Sequence, residues 1–255
     1  SNANLTAGTG TFSVTLRRAD TDYQLIASNI TEPAILASTS ANFEVALGAF
    51  TKLLMVMPGE TYAPGTPTGK TGTATAPVAN VDYTVAVYGV DEYWNSISST
   101  NMVAISATGA TNFTPPADAA LSASGPSLFN LVFKTLAETP EITATNITDG
   151  SKTAYSQTLP AVVSGPFVKL QILLPGETAA PNTASGKTGT PDIQNAGAPF
   201  NVVVNAVDNN WNVVSTVTDE VAITNAVASN NASSVLPSNA NLTAGSGTFS
   251  DTLGG

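Results

Sequence analysis

The chain contains no cysteine and no histidine. The first absence removes disulfides and thiol nucleophiles. The second removes the side chain that most often serves as a general base near neutral pH. Basic residues are scarce too: eight Lys and Arg stand against eighteen Asp and Glu, a formal net charge of −10. No Lys/Arg cluster is present to neutralise phosphates, so nucleic acid is not an expected partner. Long apolar runs are missing as well. Residues 53–57 (LLMVM) fall far below the roughly 18 residues that a spanning helix needs, so membrane insertion is not expected. Charged residues make up only 10% of the chain, too few for a disordered acidic tail or for the exposed faces of many helices.

What the chain has instead is 42% hydrophobic residues and an abundance of Thr, Ser, Asn, Val and Ala, a mixture that favours strands and turns. Its organising feature is a repeat. Residues 50–95 run FTKLLMVMPGE, a Thr/Gly/Pro-rich loop with GKTGT, then VDYTVAVYGVDEYWN; residues 167–212 repeat the plan. Pro58, Gly59, Glu60, Gly69, Lys70 and Trp94 recur as Pro175, Gly176, Glu177, Gly186, Lys187 and Trp211, always 117 residues on. A fixed period of this size marks tandem units. It divides the 255 residues into 1–48, the C-terminal half of a unit; 49–165, a complete one; and 166–255, a unit without its last strands. In the complete unit the alternation of apolar and polar residues predicts strands over 50–57, 82–91, 94–98, 102–107, 127–135, 140–148 and 161–164. In 1–48 it predicts strands around Phe12, Val14 and Leu16, over 22–31 and over 43–47. About seven short antiparallel strands with no helical periodicity indicate an all-β fold, a two-sheet sandwich.

Residues 200–224 (FNVVVNAVDNNWNVVSTVTDEVAIT), 241–253 (NLTAGSGTFSDTL) and 140–152 (PEITATNITDGSK), with the PGE and GKTGT loops, resemble bacterial immunoglobulin-like tandem repeats. The resemblance covers essentially the whole chain. It implies immunoglobulin-like β-sandwiches of a secreted or cell-surface protein, serving as spacers, adhesive modules or filament components. The chain departs from the pattern at Trp94 and Trp211, where related repeats often carry a small turn residue.

Candidate chemistry is sparse, and no enzyme is expected. The GKT of 69–71 evokes a phosphate loop, but that motif needs glycine where Pro64 and Pro181 stand, and a following helix. Asp91, Glu92 and Asn95, with Asp208, Asn210 and Asn212, make two oxygen-rich turns. Calcium needs six to eight such oxygens, and Asp and Asn equally form turns by bonding backbone amides, so calcium is a weak alternative and no other cofactor is expected. Lys52 and Lys169 lie in matching first strands, and surface immunoglobulin-like domains sometimes carry Lys–Asn isopeptide bonds catalysed by a buried acid; an exposed edge lysine is the ordinary reading. Six Asn-x-Ser/Thr sequons, at Asn4, Asn29, Asn112, Asn146, Asn231 and Asn241, match what this composition gives by chance. Trp94 and Trp211 suit either a sugar-stacking surface or a sandwich cap.

The partial units carry the functional expectation. Each half-sandwich would expose an apolar face and open strand edges, and the two halves are complementary. A head-to-tail contact that does not close builds a filament. The expected interface is Phe12, Val14 and Leu16 against Phe249 and Leu253. Residues 1–18 and 238–255 copy one another, with Val14 in the first where Asp251 stands in the second. The expectation is therefore that the first copy takes the core place in a neighbour and that 240–255 are then displaced or packed outside. The leading reading is a structural extracellular protein, a subunit of a surface stalk or filament with itself as partner. The alternative is an adhesin gripping glycan or protein through loops 59–80 and 176–198.

Overall fold

The computed structural model describes residues 2–123, 125–225 and 235–252. Among these residues the chain is all β, every named strand pairing is antiparallel, and no helix is long and apolar enough to cross a membrane.

The middle unit is a two-sheet sandwich. One sheet has the order β11 (Ser127–Val132), β8 (Asp82–Val90), β5 (Lys52–Val56). The other has the order β10 (Ala119–Ala120), β9 (Met102–Thr108), β12 (Glu141–Asn146), β13 (Tyr155–Thr158). Alternation along β8 turns Tyr83, Val85 and Val87 inward, as the sequence pattern predicts. They meet Val103, Ile105, Ile142 and Ala144 of the facing sheet, with Phe129, Leu131 and Phe133 from β11 and the residue after it. Strand β5 is buried on both faces. Its outer face, Leu54 and Val56, lies under the hairpin of β6 (Glu60–Tyr62) and β7 (Lys70–Gly72), where Tyr62 stacks on Tyr88 with ring centroids 4.4 Å apart.

The last unit repeats the first of these sheets as β14 (Lys169–Leu173), β17 (Pro199–Val207) and β20 (Ser246–Thr252), in the order β14-β17-β20. It also has the hairpin of β15 (Glu177–Ala179) and β16 (Lys187–Gly189), and a short pair, β18 (Glu220–Val221) with β19 (Ala240–Asn241). Among the described residues no counterpart of β12 and β13 faces β14. The first segment supplies two short pairs: β1 (Asp20–Tyr23) with β4 (Phe43–Val45), and β2 (Ile26–Ala27) with β3 (Ser38–Thr39).

Several expectations change. Residues 94–98 form a turn with one bridge, Val90 to Ser96, because Trp94 adopts a left-handed backbone that no strand allows. Residues 161–164 form no named strand: Val163 makes an isolated bridge to Val78, and Val162 bonds the backbone of Ala137 and Glu138. The stretch from Phe12 to Leu16 is not a strand here, since no neighbouring strand pairs with it. Hairpin β6–β7 and strand β13 were not anticipated.

Candidate functional site

Asp91, at the end of β8, is buried and acts as a clamp. Its Oδ1 accepts from the amides of Tyr93 and Asn95, both at 2.9 Å. Its Oδ2 accepts from the Gly48 amide at 3.0 Å and Asn95 Nδ2 at 2.9 Å. Asn95 passes the grip onward: its Oδ1 accepts from Ala19 N at 2.8 Å and its Nδ2 donates to Arg17 O at 2.9 Å. Asp208 repeats the clamp with Asn210 N at 2.8 Å, Asn212 N at 2.9 Å, Gly165 N at 3.0 Å and Asn212 Nδ2 at 3.0 Å. Each aspartate thus ties the chain entering a unit to that unit's turn. A cation there would have to displace these donors. Glu92 points outward, and among the described residues no three acidic side chains gather where a metal could sit. The Asp and Asn residues serve as turn-makers.

The lysines at the matching strand positions are engaged rather than free. Lys52 Nζ lies 3.4 Å from the Trp94 ring centroid and donates to Glu92 O at 2.9 Å; Lys169 lies 3.5 Å from Trp211 and donates to Asn209 O at 3.0 Å. Partial burial pulls the Lys52 pKa down, opposed by the nearby Glu92 and Asp91 charges. Both tryptophans hold positive φ, +70° and +67°. Gly69 and Gly186 make that possible. A Cβ on either would come within 2.6 Å or 2.2 Å of indole carbons. With lysine over the ring, glycine against it and the Trp94 indole N–H given to Pro67 O at 3.1 Å, the indole packs as a cap of the sandwich. Gly69→Ala should therefore cost the middle unit about 2–3 kcal/mol, combining left-handed strain with the clash. Urea unfolding followed by Trp94 fluorescence checks this; an unchanged midpoint would refute the packing role.

The GKT lysines are structural too. Lys70 Nζ pairs with Glu60 at 2.6 Å, donates to Met55 O at 3.0 Å and meets Gln157 of β13. Lys187 pairs with Glu177 at 2.8 Å and donates to Ile172 O at 3.2 Å. The Leu174 amide first, then Lys187, holds Glu177 below the usual carboxylate range. Loops 59–80 and 176–198 thus contain the short hairpins β6–β7 and β15–β16, whose lysines are tied to their own first strands.

The apolar faces are the feature without an occupant. In β5 the inward residues Leu53 and Met55 are 1% and 0% exposed; at the same positions of β14, Leu170 and Ile172 are 47% and 44% exposed. The cover that β5 has is β12–β13, whose Ile142 and Ala144 share a core with Leu53 and Met55, and the segment joining them pairs with its edge: Leu53 N donates to Thr153 O at 3.0 Å and Thr153 N to Thr51 O at 3.0 Å. The β2–β3 pair has the register of that cover. Ile26 faces Thr39 and Ala27 faces Ser38, as Thr143 faces Ser156 and Ala144 faces Tyr155, each 117 residues on. Yet Leu25, at the position of buried Ile142, is exposed, as are Ile26, Ile30 and Leu36. Leu25, Ile26 and Ile30 border, with Phe12 and Val14, an open groove of about 720 Å³.

Of the interface residues expected from the sequence, Phe12 and Val14 are exposed and Leu16 is half-buried. Phe249 is in the core of the last unit on β20, and Leu253 lies outside the described residues. In the single chain β20 is seated, pairing with β17 from Pro199 to Asn205; the expected displacement of 240–255 concerns the joint with a neighbouring copy. Sequence reasoning missed Leu170 and Ile172. The signal was present in the 117-residue offset from Leu53 and Met55.

No family model matches the chain, and no curated protein does. Among solved structures the chain is similar to the crystal structure of Parabacteroides merdae beta-glucuronidase, at 10% identity and a TM-score of 0.26. The match covers 79% of this chain and spans 22% of that enzyme's chain.

Proposed function

We propose that this is a structural protein of the cell surface, whose copies join head to tail by strand complementation into a stalk or filament. The observation that carries the reading is the exposed inner face of β14, with no cover among the described residues, together with an exposed β2–β3 pair in the register of the strands that cover β5. In the joint, the β2–β3 pair of one copy covers Leu170 and Ile172 of the next as β12–β13 covers Leu53 and Met55. Burying such side chains contributes about 25 cal/mol per Å² of apolar area. Ser38 and Ser40 then stand where Tyr155 and Gln157 stand, so the Lys187–Glu177 pair gains a thinner lid than Lys70–Glu60 has.

The absence of cysteine makes the test clean. Lys52 bridges Thr153, and the corresponding positions across the joint are Lys169 and Leu36. Leu36→Cys with Lys169→Cys should give a ladder of dimers and longer oligomers on a non-reducing gel under mild oxidation. A chain that stays monomeric at high concentration and gives no ladder sinks the reading.

A further inference from the structure

Residues 1–16 are nearly the same peptide as 238–253: they differ only at Thr9/Ser246 and Val14/Asp251. They differ far more from 118–133, the segment that ends in β11. The likeness extends to conformation. In both copies a tight turn is closed by two backbone bonds, Thr6 N to Thr9 O at 2.9 Å and Thr9 N to Thr6 O at 3.1 Å in one, Thr243 N to Ser246 O at 2.9 Å and Ser246 N to Thr243 O at 3.1 Å in the other. Ala7 and Gly8 hold φ of +51° and +79°; Ala244 and Gly245 hold +50° and +77°.

Only the second copy is seated. Gly245 N donates to Val217 O at 3.0 Å, its carbonyl accepts from Ala206 N at 2.8 Å, and a Cβ on it would lie 2.4 Å from Val214 O. Leu242 and Phe249 are buried, whereas Leu5 and Phe12 are 60% and 46% exposed, and nothing lies within 4 Å of a Cβ on Gly8. The first copy therefore carries the turn its twin uses for docking, with nothing docked against it.

We infer that residues 1–16 are built for the seat that 238–252 occupy on β17, and that β20 is a placeholder which the first segment of a second copy displaces. The inference rests on the assembly reading above and adds which strand does the joining. It is favoured by three things. The seat accepts this peptide by demonstration, because its near-identical twin sits in it. The turn of the incoming copy is already formed, so docking orders less chain. At the one inward position that differs, Val14 offers an apolar side chain where β20 buries the carboxylate of Asp251 and where β11 has Leu131. Replacing a buried ionic group by a well-packed apolar one is often neutral or stabilising. Chain geometry supports the exchange as well. In the middle unit β11 and β12 are joined by eight residues, so a copy whose β2–β3 pair has docked holds its 10–16 stretch close to the seat at high effective concentration.

The seat can be probed in the full chain. Thr84 of β8 faces Asn130 of β11, and the equivalent pair for the incoming strand is Asn201 with Ser13. Ser13→Cys with Asn201→Cys should yield an oligomer ladder. Adding Val14→Asp should reduce it by about tenfold, and Asp251→Val should reduce it by strengthening the placeholder. Asn201→Cys with Ser250→Cys, which face each other within one chain, should pin β20 and block exchange. If Leu36→Cys/Lys169→Cys gives a ladder while Ser13→Cys/Asn201→Cys does not, copies join with β20 in place and the exchange is overturned. If neither pair gives a ladder, the assembly reading falls and takes the exchange with it.

Discussion

Leu53→Asp should unfold the middle unit, whereas Leu170→Asp, at the same position of the next unit, should leave the single chain folded and abolish head-to-tail assembly. The two leucines occupy one place in the repeat, yet Leu53 is sealed between two sheets and Leu170 is half open. An aspartate at 53 would put an unpaired carboxylate in the core and leave a cavity, together at least ~4 kcal/mol, a large share of the stability of such a unit. At 170 the carboxylate stays hydrated, and an exposed substitution changes stability by about 0.5 kcal/mol or less. In the joint the same carboxylate would be desolvated against Leu25 and Ala27 of the neighbour. Urea unfolding reads the first effect and sedimentation velocity the second. Assembly that survives Leu170→Asp would rule out the β14 face as the joint.

Asp91→Ala should destabilise the middle unit by about 3–5 kcal/mol and loosen the first segment from it. Four N–H donors converge on this carboxylate, and three are backbone amides with no alternative acceptor in the turn. Hydrogen bonds to a charged group contribute about 1.5–3 kcal/mol each, and removing the acceptor leaves several donors unsatisfied together. Asp91→Asn preserves shape but presents an amide nitrogen to amide donors, so it should recover only part of the loss. Amide exchange at Gly48 and Ala19 is the specific readout, since Gly48 bonds Asp91 directly and Ala19 bonds Asn95. Protection at both that is unchanged in Asp91→Ala would refute the clamp.

Much of the fold was legible before any coordinates. The inward positions of β8 and β11 show as plain alternation, because a strand with one buried face imprints a period of two on its residues. The 117-residue period laid out the unit plan; the β14 face, which the same offset from Leu53 and Met55 could have marked, was missed. Other features were hidden by distance in sequence. Trp94 lies far along the chain from both Lys52 and Gly69, and nothing in the letters says that a lysine will lie over its ring or that a glycine is missing its Cβ for its sake. The β6–β7 hairpin escaped notice because its Thr, Gly and Pro residues read equally well as a loop. Which of the two copies sits on β17 in the single chain was hidden for a different reason. Alternation marks which residues of a segment turn inward, but it cannot rank two near-identical segments competing for one seat. Within a single chain, the tethered copy reaches that seat first.

By itself the sequence determined that this protein is all β, that it is built on a repeated unit, and that it brings no cysteine or histidine to any chemistry. These follow from composition and period, which are local properties of a chain. Only the tertiary structure decided that the aspartate turns are clamps between units, that both tryptophans are capped by lysine, and that Leu170 and Ile172 of β14 are open where Leu53 and Met55 of β5 are buried. Each of those depends on groups dozens of residues apart meeting at 3 to 4 Å, and short-range contacts of that kind exist only once the chain has folded.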